Sequence, residues 1–199
     1  MVGGGKVALR KVKMLLECGA KVVVISPKIH RDLSQLAKDK AIQLIKRDYE
    51  RGDLKEAVIA ISCTDVKEVN RKVADEAKKT GVLVNITDDL EPSDFIIPSF
   101  FRRGNLTVAV STSGKSPAFA RKIRMKLEKS FGEEYASLLS LIGEVRSTLK
   151  EKGYIVDAEA WQEAIDLDLL IQLLRSGQRK EAKAIMVRKL IPDLEKSGV

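Results

Sequence analysis

Val2-Gly3-Gly4-Gly5-Lys6-Val7-Ala8-Leu9-Arg10-Lys11 opens the chain, and its reading decides the fold. Gly3, Gly5 and Ala8 stand at the spacing G-x-G-x-x-G/A of a dinucleotide turn. In such a turn the first glycine permits the tight bend and the second lets backbone approach a pyrophosphate. The small third residue packs helix on strand. An apolar strand normally launches this turn, yet only Val2 precedes it. That start is expected where the first strand has been lost, through trimming or a mis-assigned start, and the rest of the pattern favours loss over accident. About five buried apolar residues at roughly 1.5–3 kcal/mol each rival a domain's stability of about 5–15 kcal/mol. The chain is therefore expected to fold poorly or to bind cofactor weakly.

Outward from the turn, strand-like and helix-like patterns alternate, as a parallel α/β sheet requires. Gly5 to Cys18 reads as a helix stopped by Gly19, and Lys21 to Ile25 as a buried strand ended by Ser26-Pro27. Ile29 to Lys38 is helical, Ile42 to Ile45 a strand, and Ala57 to Ser62 a further strand. Val66 to Lys79 forms an amphipathic helix before Gly81, and Val82 to Ile86 the next strand. The fold class is α/β, a Rossmann-like parallel sheet with a truncated first strand. Phe95 to Pro98 and Leu106 to Val110 are strands too close in sequence for a parallel crossover, so they pair antiparallel. Ser116-Pro117 then starts a helix that runs to about Ser130. From Glu133 only helical periodicity remains, with Leu138, Leu139, Leu141, Ile142 and Val145 on one face. The expected domains are 1–94 for dinucleotide binding, 95–131 for the strand pair and helix that serve dimerisation and the substrate cleft, and 132–199 for a helical region.

The 199 residues carry a net charge of +8, unevenly spread. Residues 132–199 hold 10 Lys+Arg against 12 Asp+Glu, whereas residues 1–131 hold 26 against 16, a net of +10. A basic half suits an anionic partner, either a polyanion or a small molecule with many carboxylates or phosphates. No apolar run approaches the roughly 18 residues of a membrane span. Cys18 and Cys63 lack metal-ligand spacing and read as small buried residues of a cytoplasmic protein.

Site chemistry gathers at strand ends. Asn85-Ile86-Thr87-Asp88-Asp89 lies at the carboxyl end of a strand, where open α/β sheets bind ligands. Asp88 there is a candidate proton acceptor, and Asp89 is expected to cap the following turn. The sole histidine, His30, reads as a surface residue, which leaves acid–base work to aspartate and makes a His-rich metal site improbable. No acid stands about 20 residues beyond the glycines; Ser26, Pro27 and Lys28 occupy that place, and NAD and NADP both stay open. Thr112, Ser113, Gly114, Lys115 and Ser116 bridge a strand and a helix N-terminus, a ready anion site, with Arg121 on the helix beyond.

Jointly these pieces resemble the precorrin-2 dehydrogenase family, the NAD-dependent, sirohydrochlorin-forming module of siroheme synthesis. The resemblance rests on Gly3-Gly4-Gly5-Lys6-Val7-Ala8 with Arg10-Lys11, on Gly19-Ala20-Lys21-Val22 leading to Ser26-Pro27, and on Asn85-Ile86-Thr87-Asp88. It continues through Asp94 to Pro98 and Leu106 to Pro117, and ends in Ala120-Arg121. It implies oxidation of precorrin-2 by NAD with the acid at Asp88 essential, and a homodimer that cradles the tetrapyrrole. Lys6 and Val7 match positions at the cofactor phosphates, and Ser26, Pro27 and Lys28 positions near the adenosine. The implied substrate carries eight carboxylates, which gives the basic half a purpose. Thr112 replaces a serine common in that turn but keeps the hydroxyl. Some relatives also insert iron in the same cleft, although no separate metal site is visible. The rival readings are a non-catalytic NAD-binding redox sensor and a nucleic-acid binder. The second lacks the interleaved aromatics of single-strand binders.

Overall fold

The computed structural model describes residues 1–192, so the last seven residues of the expected helical region lie outside the described residues. The chain divides into two compact units, Met1–Ile97 and Pro98–Val199.

In the first unit, α1 (Lys6–Glu17), α2 (Arg31–Lys38) and α3 (Lys67–Thr80) alternate with β1 (Val23–Ile25), β2 (Gln43–Ile45), β3 (Ile59–Ser62) and β4 (Leu83–Ile86). β1 pairs with β2 and β3 with β4, both in parallel. Residues 1–3 join the two pairs. Val2 forms parallel bridges to both Ile25 and Ser62. Its amide donates to Ile61 at 2.9 Å, and its carbonyl accepts from Cys63 at 2.8 Å. On the other side, the Gly3 amide donates to Ile25 and the Ile25 amide to Met1, both at 2.9 Å. The spatial order is therefore β2, β1, residues 1–3, β3, β4: a doubly wound sheet whose central strand is only a stub.

The stub spans β1 as far as Val23, whose carbonyl accepts from the Met1 amine at 2.8 Å, but it meets β3 only around Ile61 and Ser62. Val58 and Ile59 at the start of β3 are 79% and 45% exposed, unusual for apolar residues of an inner strand. Around the stub, α1 and α2 cover Val22, Val24 and Ile42 through Ala8, Val12 and Leu33. Val73 and Ala77 of α3 pack on Val2, Ala60, Val84 and Ile86 in a second cluster. Buried Glu76 of α3 ties down the loop before β3. Its carboxylate accepts the Tyr49 hydroxyl at 2.6 Å and the amides of Gly52 at 3.0 Å and Leu54 at 3.2 Å.

The strand expected over Phe95–Pro98 does not form. Ser93 and Asp94 instead close the outer edge of β4: the Val84 amide donates to the Asp94 carboxylate at 2.8 Å, and the Ile86 amide to the Ser93 hydroxyl at 2.9 Å. Side chains thus satisfy an edge that would otherwise template another strand. Phe95 is held by its carbonyl, and Pro98 has no N–H to donate.

The second unit begins with the hairpin that replaces it, β5 (Ser99–Arg103) against β6 (Leu106–Val110), antiparallel as expected but with β5 inside the stretch read as a connection. Gly104, at φ +53°, opens its two-residue turn, a conformation glycine adopts without a Cβ penalty. Then follow α4 (Pro117–Ser130), α5 (Glu133–Glu151), α6 (Ala158–Ala164), α7 (Leu167–Arg175) and α8 (Arg179–Leu190). The buried face of α5 is Leu138, Leu141, Val145 and Leu149, at 3- and 4-residue steps, packed with Leu170, Met186 and Leu190. Leu139, expected on that face, is exposed because one residue turns it about 100° away. The hairpin and the helices belong to one unit: Phe101 meets Phe131 edge-on at 5.9 Å, and the Arg103 Nε donates to the Phe131 carbonyl at 2.8 Å.

Candidate active site

The glycine turn lies at the carboxyl end of the stub, and its three glycines have different reasons to be there. Gly3 adopts φ +105°, and a Cβ on it would stand 2.5 Å from the Cys63 carbonyl oxygen. A Cβ on Gly4 would stand 2.4 Å from the Lys28 carbonyl oxygen. Both are fixed by backbone packed against them. Gly5 is exposed, and a Cβ there would meet nothing within 4 Å. It is also the N-cap of α1 and provides no side-chain cap, so the first amides of the helix face open space. An open glycine before an uncapped helix N-terminus suits a pyrophosphate, and Lys6 and Val7, both exposed, flank it. Ala8, fully buried, is the close-packing third position.

At the end of β1, the Ser26 hydroxyl donates to the Lys28 carbonyl at 2.9 Å. Ser26 is buried and shapes its turn, whereas Pro27 and Lys28 are exposed at the place expected for the adenosine. His30 caps α2, its Nδ1 accepting the Asp32 amide at 3.2 Å, which gives it a structural task.

β4 delivers the acidic end of the site. Asp88 is exposed and adopts φ +64°, the left-handed region that non-glycine residues occupy at a cost. The turn is held around it: the Asp89 amide donates to Ile86, and the Ser93 hydroxyl donates to the Asp89 carbonyl at 2.7 Å. Asp89 thus closes the turn through its backbone, and Asp94 supplies the capping carboxylate. Below Asp88, Cys63 of the β3 end lies 3.1 Å from the Thr87 hydroxyl. Burial pushes this thiol up, against the Thr87 hydrogen bond and the charge of Lys11.

Sequence reasoning placed Lys11 in the matched opening run but gave it no role. From α1 its Nζ donates to the Asn85 Oδ1 at 3.1 Å, while the Asn85 Nδ2 donates to the Phe95 carbonyl at 2.9 Å. Burial draws the Lys11 ammonium below the usual lysine range. Cys63 and Asp88 oppose that shift, and Arg10 adds to it. The legible signal was Asn85, a polar residue inside an apolar strand. Only the winding of the sheet reveals its partner.

In the second unit, the expected anion turn is organised by its own hydroxyls. The Thr112 Oγ1 accepts the Ser116 amide at 3.1 Å, and the Ser116 Oγ caps α4 through the Phe119 amide at 3.2 Å. Ser113, at φ +50°, and Gly114, at φ +77°, form the bend. The side chains of Ser113, Lys115 and Arg121 are left exposed. Among the described residues no three His, Cys, Asp or Glu side chains gather as a metal site, and no helix is long and apolar enough to cross a membrane.

Comparison with known proteins agrees with this layout. Residues 1–99 match the family described as "Putative NAD(P)-binding", and residues 103–130 the family described as "Sirohaem biosynthesis protein central". The siroheme synthase of Tolumonas auensis is 35% identical over 97% of this chain and 41% of its own length. That of Ruthia magnifica is 34% identical over 92% of this chain and 39% of its own. The chain thus spans about two-fifths of the length of the curated relatives it matches. A solved structure titled "SirC, precorrin-2 dehydrogenase" superposes with a TM-score of 0.71 at 23% identity, covering 95% of this chain and 91% of that one, which establishes the shared fold. The chain thus carries in order, at residues 1–99 and 103–130, the matches to the NAD(P)-binding and sirohaem-biosynthesis central families.

Proposed function

We propose that this chain catalyses the NAD-dependent dehydrogenation of precorrin-2 to sirohydrochlorin. The observation that carries the reading is Asp88, an exposed carboxylate held at φ +64° in the same unit as an open, uncapped glycine turn. An exposed carboxylate in this costly backbone region, at the carboxyl end of a strand, is a candidate for chemistry. The names of the relatives and of the structural neighbour supply the substrate.

Gly5 and the first amides of α1 would bind the pyrophosphate, with Lys6 and Val7 beside it and Pro27 and Lys28 along the adenosine. When bound, the nicotinamide supplies the hydride acceptor. The oxidation removes two electrons, one hydrogen leaving as hydride and one as a proton, and an Asp88 carboxylate oxygen takes the proton. Nothing at Ser26, Pro27 or Lys28 repels a 2′-phosphate, so the preference for NAD rests on the family resemblance. Ser113, Lys115 and Arg121 offer hydroxyl and cationic groups to the substrate's carboxylates, from a turn shaped by Thr112, Gly114 and Ser116.

The active species is a homodimer in the cytoplasm. Neither Cys18, exposed rather than buried as expected, nor Cys63 forms a disulfide, which suits a reducing compartment. Exposed Phe119, Met125 and Leu139 give the second unit apolar surface for a second copy. Anaerobic NADH formation from precorrin-2 and NAD⁺, followed by absorbance, tests the reading. Turnover is expected for the wild-type chain and its loss for Asp88→Ala. NAD binding without turnover in both would point to the sensor, and iron-dependent siroheme formation would add a chelatase step.

A further inference from the structure

Lys11 stands where a cation is costly. It is half-buried, and its one hydrogen bond goes to a neutral amide. The orientation of that amide is fixed, because the Asn85 NH₂ is spent on the Phe95 carbonyl and only Oδ1 can face the lysine. An ammonium has three N–H donors, and Asn85 engages one. Among the described residues no carboxylate lies within 4 Å of Nζ. A partly desolvated charge with no direct ion pair, the more distant Asp88 being set against Arg10, destabilises a fold. Methionine would fill the same volume without that penalty, so packing does not account for a lysine here.

The position of Lys11 indicates what completes it. The cofactor phosphates belong at Gly5, Lys6 and Val7, and Lys11 lies five residues further along α1, about 7–8 Å down the helix axis. Its charged neighbours are Arg10 and Asp88, which place it on the acid side of the site.

We propose that Lys11 is a substrate-binding residue: its ammonium, held by Asn85, pairs with a carboxylate of the tetrapyrrole bound beside Asp88. The assignment rests on the dehydrogenase reading for the identity of the substrate, but a polycarboxylate porphyrin tests it without turnover.

The test titrates the full chain with uroporphyrin, an eight-carboxylate porphyrin, by fluorescence, and separately with NAD⁺. Lys11→Met, Lys11→Arg and, as a charge control, exposed Lys13→Met are compared with wild type; Lys11→Gln replaces Lys11→Met if that variant fails to fold. Lys11→Met is expected to weaken uroporphyrin binding at least tenfold with NAD⁺ affinity unchanged. Lys11→Arg retains most of the affinity and Lys13→Met all of it. With precorrin-2, Lys11→Met should raise KM at least tenfold and leave kcat within threefold. Equal uroporphyrin affinity in wild type and Lys11→Met overturns the proposal, as does a loss confined to NAD⁺, or no uroporphyrin binding by the wild type. If the wild type binds uroporphyrin more tightly than Lys11→Met yet oxidises no precorrin-2, the dehydrogenase reading falls and the Lys11 site stands.

Discussion

The amide of Val2 donates to the carbonyl of Ile61 across 2.9 Å, and this bond couples the two halves of the parallel sheet. Beside it, the Met1 amine donates to the Val23 carbonyl at 2.8 Å. Four or five alternating Val/Ile residues joined ahead of Met1 are expected to pair with both edges and cover Val58 and Ile59. A rise in thermal midpoint and in NAD⁺ affinity, read by calorimetry and titration, is the expected outcome. The same extension with Pro at alternate positions should give neither, because proline lacks the donors a central strand needs.

The Met1 amine also makes stability depend on pH. Burial pushes its pKa from 8.0 down to about 6, with Cys63 opposing weakly. Between pH 6 and pH 8 the unfolded chain therefore holds more protons than the folded one, and stability rises with pH. Met1 is only half-buried, so the gain is about 1–2 kcal/mol after solvent screening. Urea melts at pH 6 and pH 8 measure it, and acetylation of the terminus should abolish this part of the difference.

The three glycines should separate folding from binding. Gly3→Ala forces a Cβ against the Cys63 carbonyl in a left-handed backbone, and a loss of about 3 kcal/mol or more is expected. Gly5→Ala meets open space in an extended backbone at φ −85°, so its melting midpoint should hold while NAD⁺ affinity falls about tenfold or more. Thermal melts paired with NAD⁺ titration distinguish the two outcomes.

Asp88 should show the opposite pairing. Glycine adopts φ +64° freely, so Asp88→Gly is expected to melt within about 0.5 kcal/mol of wild type, or above it. Turnover of precorrin-2 should fall by at least about 10²-fold, the usual worth of a positioned base.

Glu76 provides an acid-sensitive latch. Burial alone would raise its pKa, but the Tyr49 hydroxyl and the Gly52 and Leu54 amides outweigh burial and lower it. Its stabilisation is therefore complete above the ordinary glutamate range and is lost as pH falls through the lowered folded value. Glu76→Gln removes the charge and puts an NH₂ in place of one accepting oxygen, and should cost about 1–3 kcal/mol at pH 7. The deficit relative to wild type should shrink in melts at progressively lower pH.

Local patterns in the sequence determined much of this protein. The glycine spacing, the β-branched runs around Val24, Ile61 and Val84, and the Ser116-Pro117 helix start each follow from interactions within a few residues, and those elements form where the pattern places them. Asp88 was legible as a candidate because the end of a strand in an alternating α/β chain is a known ligand position. What escaped depended on which distant segments meet. Phe95–Pro98 has strand composition, but Ser93 and Asp94 are drawn to the edge of β4, ten residues earlier in the chain, and the hairpin starts at Ser99 instead. Whether a three-residue stub could hold a central position was settled by the backbone bonds of Val2 to β3 and of Met1 and Gly3 to β1. The Lys11–Asn85 pair spans 74 residues and exists only because the right-handed winding of the sheet brings these side chains of α1 and β4 together. Periodicity reports which face of an element is buried; the tertiary structure alone decides which charge ends up against which amide.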